Sequence, residues 1–278
     1  MIIPLCLVFM SCEEDPQPDL DEKQTVTPHF LLDRKTAVFT NDQNVVSLTF
    51  EYTYEYLENN LIDKISESVY FPIDDKLLEN TTLHHYDELD VLARTELIND
   101  SDEPFITHYI WDEFDRISEK QWVNPEGLWR ERYTVMDSSY FSYQKFYDTN
   151  DDEATGMQFE RDLENHTIVA TPISEEGMTR KVIYEYDDKA SPYSLSNLSY
   201  LWQEEPDVFG LNLGNPLRVR IQSYDEASSK WEDLLVTENK YEYNEFGLPI
   251  RQEKKGYVPE NNQLLIDLVT VYEYIEVP

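Results

Sequence analysis

The sequence predicts an all-β protein, an antiparallel meander of hairpins forming one large twisted sheet, curled or partly closed. Two observations predict it. In the first, Val46, Leu48, Phe50, Tyr52, Tyr54 and Tyr56 alternate with Ser47, Thr49, Glu51, Thr53 and Glu55. A period of two puts the large side chains on one face of an extended strand and the polar ones on the other. Aromatic and β-branched residues also suit a pleated, half-buried surface. In the second, an aromatic strand end runs into Asp or Asn and then a turn. Tyr109-Ile110-Trp111-Asp112, Tyr184-Glu185-Tyr186-Asp187 and Tyr241-Glu242-Tyr243-Asn244 are such units, and Tyr272-Glu273-Tyr274 closes the chain. The Asp or Asn side chain can hydrogen-bond its own turn. Gly247 supplies the positive φ that a tight hairpin needs. The units are unequally spaced, which predicts a meander of unequal hairpins and not a strict solenoid.

Helical signals are weak. Residues 75–80 and 87–97 are expected to form a helical turn or two each. Residues 194–213, with Pro206 and Gly210 among many apolar side chains, read as a long connection packed over one end of the sheet.

Composition bounds the function. The chain has 278 residues, 40% of them hydrophobic, and a formal charge of -35 from 57 acids against 22 bases. A domain of this size buries enough surface to need neither metal nor disulfide. The charge repels phosphate backbones, which argues against nucleic-acid binding, and favours a well-solvated monomer. If the aromatics around residues 124–127 form an exposed platform, the field predicts that their ligand is neutral or basic. No run of 18 apolar residues occurs, so no helical span is expected.

The first residues read as a processing signal. An apolar run ends in Ser11-Cys12, and residues 13–23 then carry Glu13, Glu14, Asp15, Asp19, Asp21 and Glu22 around Pro16 and Pro18. Charge repulsion and proline keep such a segment extended. Val8-Phe9-Met10-Ser11-Cys12 resembles the lipobox of bacterial lipoproteins. The resemblance implies cleavage after residue 11, lipid on Cys12, and a membrane partner reached through that lipid. Cys6 falls in the cleaved segment, so no disulfide is expected. Acids directly after the Cys resemble the surface-export signal of some Gram-negative lipoproteins, which implies an outer-membrane protein facing the cell surface. The expected organisation is a signal peptide over 1–11, an acidic tether over 12–33 and a single β domain over 34–278.

The aromatic hairpin units resemble the YD repeat of bacterial surface and toxin-shell proteins, whose pattern is Tyr-x-Tyr-Asp before a turn. Residues from Lys181 to Gly256 are also similar to a group of Gram-negative lipoproteins of unknown function. Tyr184-Glu185-Tyr186-Asp187-Asp188-Lys189, Gly214-Asn215-Pro216 and Tyr241-Glu242-Tyr243-Asn244-Glu245-Phe246-Gly247 carry that likeness. It implies a β-rich surface domain and supplies no catalytic residue.

Chemistry-bearing constellations are sparse. His84 and His85 adjoin Asp87, Glu88 and Asp90, but neighbours on a strand point to opposite faces, so one metal does not readily take both. Asp148, Asn150 and Asp152 place oxygens at positions 1, 3 and 5 of a calcium loop. Glu153 stands where Gly is needed, and Phe159 where the closing Glu belongs. A connecting acidic loop is the better reading. No phosphate loop or Gly-x-Ser-x-Gly elbow is present, and no cofactor is expected. Trp122, Trp129 and Tyr133 flank the turn Asn124-Pro125-Glu126-Gly127 and could stack on a sugar beside carboxylates. The plainer reading is that aromatics fill the faces of a large sheet.

The function expected from the sequence is a membrane-anchored surface lipoprotein with a non-catalytic binding or scaffolding role, its partner a glycan or another envelope protein. A neutral-glycan module is the nearest alternative, and a hydrolase of envelope or glycan substrates a further one. Replacing Cys12 by Ala should move the protein from membrane to soluble fractions and abolish labelling by a fatty-acid analogue. Unchanged fractionation would refute the anchor.

Overall fold

The computed structural model describes residues 30–277 apart from 42–44, 101–102, 114–116, 125–126, 138–139, 148–149, 163, 166, 174–179, 194–213 and 226–227. Cys12 and its tether lie outside the described residues. The chain forms sixteen strands: β1 (Phe30–Thr40), β2 (Val46–Tyr56), β3 (Ile62–Phe71), β4 (Lys76–Tyr86), β5 (Leu92–Ile98), β6 (Phe105–Trp111), β7 (Ile117–Asn124) and β8 (Gly127–Asp137), then β9 (Tyr140–Tyr147), β10 (Asn150–Asp162), β11 (Thr167–Ile173), β12 (Arg180–Tyr186), β13 (Pro216–Asp225), β14 (Lys230–Tyr243), β15 (Pro249–Val258) and β16 (Gln263–Glu276). Each pairs antiparallel with its sequence neighbour, and β1 pairs with β16 from Phe30↔Glu276 to Phe39↔Leu268. The expected all-β meander is therefore present, and its curl runs to a closed barrel. Closure satisfies the last two rows of backbone donors and acceptors, so no sheet edge is left.

The alternating run Val46–Tyr56 is strand β2 from end to end. The helical turns expected over 75–80 and 87–97 are not formed. Residues 76–86 and 92–98 are β4 and β5, paired with each other from Thr81↔Ile98 to Tyr86↔Leu92. Acid-rich local sequence suggested helix, and cross-strand pairing overrides so weak a propensity. β1 begins at Phe30, inside the stretch read as tether.

Register fixes the two faces. Lys35, Ala37, Tyr54, Val69, His84, Thr95, Lys120, Glu131, Phe159, Ile168, Ala170, Thr237, Asn239, Gln252, Thr270 and Tyr272 are buried. The pairings put them all on one side, the barrel interior, with Lys35 for example opposite both Tyr52 and Tyr272. The other side carries ion pairs between neighbouring strands: Arg34–Glu51 at 3.6 Å, Arg132–Glu119 at 3.0 Å, Arg220–Glu185 at 3.3 Å and Arg251–Glu242 at 2.9 Å.

Three hairpins at one rim share one construction. Leu57, Asp87 and Asn244 donate their backbone N–H to the carbonyls of Leu61, Val91 and Leu248, at 2.8–2.9 Å. Asp87 Oδ1 accepts from the N–H of Leu89 and Val91, and Asn244 Oδ1 from those of Phe246 and Leu248, all at 2.8–3.0 Å. The fourth turn residue takes positive φ: 65° at Asn60, 62° at Asp90 and 78° at Gly247. Asn and Asp tolerate that region better than other side chains, and Gly has no Cβ to clash.

Among the described residues, four rungs of an aromatic ladder each tie a strand end to the strand before it. The Tyr56 hydroxyl donates to the Leu32 carbonyl at 2.6 Å, Tyr86 to Ile62 at 2.7 Å, and Tyr274 to Pro249 at 2.7 Å. Trp111 Nε1 does the same to Leu92 at 2.7 Å. A core of Leu32, Tyr54, Ile62 and Tyr272 packs behind these rungs, with a second of Phe159, Ile168, Ala170 and Tyr186 further round the ring.

Substitution at Gly247 tests the turn. A Cβ there meets nothing within 4 Å, so only backbone conformation is at stake. Gly247→Val should lower stability by about 1–3 kcal/mol. Gly247→Asn, which copies the residue at position 60, should stay close to the parent. Equal chemical-denaturation midpoints for Gly247→Val and the parent would contradict this assignment.

Candidate ligand-binding cavity

The twelfth strand leads into a variant of the same turn. Asp187 donates its N–H to the Asn215 carbonyl at 3.0 Å, and its Oδ1 accepts from the N–H of Lys189 at 2.9 Å and Asn215 at 2.8 Å. Asn215 stands where Leu248 stands in the next hairpin, and Gly214, with φ 98°, where Gly247 does. The stretch between Asp187 and Gly214 is thus an insertion into one turn. A Cβ at Gly214 would collide with the Asp187 carbonyl oxygen, so this position demands glycine twice over. Tyr243 leaves the ladder here: its hydroxyl donates to Asp187 Oδ2, and burial followed by that carboxylate raises its pKa.

The start of the insertion turns into the barrel. Ser191 and Pro192 are buried, and Tyr193 packs on the core of Leu32, Tyr54, Ile62 and Tyr272. Residues 191–193 and Asn215 line one part of a cavity of about 350 Å³. Its walls come from β1, β2, β14, β15 and β16. They present Tyr52, Tyr193, Tyr241 and Tyr272, with Phe39, Phe50 and Leu268, the ammonium groups of Lys35 and Lys254, and the amide of Gln252. Such a volume suits a small ligand held by a few polar groups on apolar walls.

A hydrogen-bond network fixes one wall. Gln252 Nε2 donates to Asn239 Oδ1 at 3.1 Å and to the Tyr241 hydroxyl at 3.0 Å, while its Oε1 accepts from Tyr272 at 2.9 Å. Asn239 Nδ2 donates to the Pro216 carbonyl at 2.7 Å. Lys35, 8% exposed, lies 5.2 Å from the Tyr52 ring centre and 5.4 Å from that of Tyr193. A cation over an aromatic face recovers part of its lost hydration.

The residues singled out in the sequence lie elsewhere. Trp122 and Trp129 face each other across β7 and β8, stacked with ring centres 6.4 Å apart and planes 4° from parallel. They are half-buried and share the interior face with Lys120 and Glu131, each 2% exposed. Tyr133 donates to Glu131 Oε2 at 2.6 Å, and Lys120 lies 5.5 Å from the Tyr133 ring centre. Burial pushes the nearby Tyr109 hydroxyl up to about 12. Asn150 and Asp152 lie on β10, and Asp148 lies outside the described residues. His84 faces inward opposite Thr95, and His85 faces outward, 3.2 Å from Glu96. Among the described residues, no three His, Cys, Asp or Glu side chains are grouped to hold a metal ion.

No protein-family model matches the chain, and no curated protein sequence matches it. Its fold is similar to that of a porin-like protein from Bacteroides uniformis, with a TM-score of 0.60 over 88% of this chain and 96% of that one at 11% identity. That likeness shows an all-β architecture that a Gram-negative protein also adopts. Weaker likenesses reach TcdB2-TccC3 without its hypervariable C-terminal region, with a TM-score of 0.31, 8% identity and 81% of this chain against 13% of that one. The Photorhabdus luminescens Tc holotoxin pore gives a TM-score of 0.24, 11% identity and 84% against 14%. At these scores no shared overall fold is defined, and the chain spans only a small part of those proteins.

His84 yields a pH prediction. Burial lowers its pKa from 6.5 to about 4, so the folded state keeps it neutral. The unfolded chain binds the proton first. The contribution of His84 is therefore whole above pH 6.5 and is lost as pH falls towards 4, by up to about 3 kcal/mol. His84→Gln should be destabilised less, relative to the parent, at pH 5 than at pH 7. A constant difference in denaturation free energy between those two pH values would show that His84 titrates normally.

Proposed function

We propose that this chain is a lipid-anchored protein of the Gram-negative envelope whose barrel holds a ligand and does not transform it. The observation that carries the reading is the cavity, walled by four tyrosines with amide and hydroxyl groups between them. Aromatic faces stack on the apolar faces of sugars, and amides and hydroxyls satisfy sugar hydroxyls. A glycan is the ligand class that such a wall fits best. Anchorage through Cys12, an outer-membrane position and a surface-facing orientation rest on the N-terminal sequence. The porin-like likeness supports an envelope setting.

The outer face argues against a membrane-spanning pore. A transmembrane barrel presents an apolar band about 25 Å tall, where an outward Lys or Arg costs about 2–4 kcal/mol at mid-depth. Here Glu238, Lys240 and Glu242 are successive exposed outward residues of β14. Beside them β15 turns out Arg251, Glu253 and Lys255. Such a surface suits water, so the barrel is read as standing clear of the bilayer.

The full-length protein on a glycan array tests this reading. Binding to at least one oligosaccharide is expected, and Tyr52→Ala, checked for an unchanged β spectrum, should weaken it at least tenfold. If the parent retains no glycan at all, the ligand-holding role falls.

A further inference from the structure

The sign of the cavity opposes the sign of the molecule. The chain carries a formal charge of -35. The cavity is nonetheless lined by two lysines, Lys35 and Lys254, and by no Asp or Glu among the described residues. In a chain with 57 acids and 22 bases, that composition is selective. We infer that the cavity binds an acidic saccharide, a short oligosaccharide bearing carboxylate groups such as uronic acids. The inference rests on the ligand-holding reading and adds the charge of the ligand.

Three features support it. Lys35 is nearly buried, so its ammonium has been withdrawn from most of its water and gains from an anionic partner more than a surface lysine would. Tyr52 and Tyr193 hold that ammonium at the cavity wall. Lys254 is half-buried and makes no ion pair among the described residues. Its neighbours Glu253 and Lys255 point outward by strand alternation, and Glu253 is engaged with Arg251 at 2.5 Å.

Spacing suggests the size of the ligand. Lys35 sits beside Tyr272 of β16, and Lys254 beside Leu268. Four residues along the strand and two strands across put the two Cα atoms roughly 16 Å apart. Between them lie the ring of Tyr272 and the amide of Gln252, with Tyr241 beyond Gln252 on β14. The row reads cation, aromatic, amide, cation. An extended sugar of two or three residues with a carboxylate towards each end matches it.

The net negative field does not prevent entry. At physiological ionic strength it decays over about 8 Å, whereas the two ammonium groups act at contact distance across low-dielectric walls. The outer field slows arrival of the anion, and the cavity then holds it.

The test uses the same full-length protein on an array that pairs uronic- and sialic-acid oligosaccharides with their neutral counterparts. Acidic members should be retained at least tenfold more strongly than neutral ones. Lys254→Gln should remove most of that preference, Lys254→Arg should restore it, and Lys35→Gln should act in the same direction if it melts like the parent. Binding that favours neutral glycans, or acidic binding indifferent to the change at position 254, overturns the inference while leaving the ligand-holding role intact. Binding to nothing removes both.

Discussion

The fold depends on one linkage, an aromatic side chain at a strand end by the rim that donates to a backbone carbonyl of the preceding strand, seen at Tyr56, Tyr86, Trp111 and Tyr274. A hairpin alone is marginal in water. Here the turns capped by Asp87 and Asn244 fix the shape of their hairpins, and the Tyr or Trp rungs fix strand ends against their neighbours. The rungs from Tyr56, Tyr86, Trp111 and Tyr274 all reach 2.6–2.7 Å. Each also marks a shift of register, as at Glu55/Tyr56 and His85/Tyr86. Repeated shifts of this kind supply the stagger that lets a sheet close on itself. Buried carbonyls such as those of Leu32 and Ile62 would lose a partner if a rung were cut, so the ring is held by bonds that are costly to leave unmade.

Inside that ring the chemistry differs from an oily core. Tyr, Thr, Asn, Gln and a few charged side chains face inward, and their polar atoms are joined to one another, as Gln252 joins Tyr241, Asn239 and Tyr272. A barrel of sixteen strands is too wide for small aliphatic side chains to fill. Long aromatics with a polar tip bridge the width and still satisfy their hydroxyls. The pattern is broken at Asp187, after which Ser191–Tyr193 fold inward. The cavity lies where residues 191–193 meet the seam between β1 and β16.

Much of the architecture is legible in the sequence. The alternation over Val46–Tyr56 gives β2 to the residue, and the turn before Pro249 is announced by Asn244 and Gly247. The equivalent turns after Tyr56 and Tyr86 are hidden, because Asn60 and Asp90 take the positive φ that Gly247 takes later. In so acidic a chain those residues look like ordinary solvated surface, and the second of them sits in a stretch that reads as helix. The cavity is not legible at all. Lys35 and Lys254 come from opposite ends of the chain, and only the pairing of the first strand with the last brings them to one wall. Trp122 and Trp129 drew attention as large aromatics flanking a turn, a local signal that cannot report which way a barrel closes.

The pairing of β1 with β16 also gives the barrel a mechanical direction. Phe30 lies opposite Glu276, so the start of β1 and the end of β16 meet at the same rim. Tension that pulls those two ends apart loads the seam one hydrogen bond at a time, like a zipper. Tension between the N-terminal end and the opposite rim instead loads all the bonds of β1 together, along both of its edges, in shear. The same seam that brings the two lysines together thus decides whether a tug opens the ring or is shared around it.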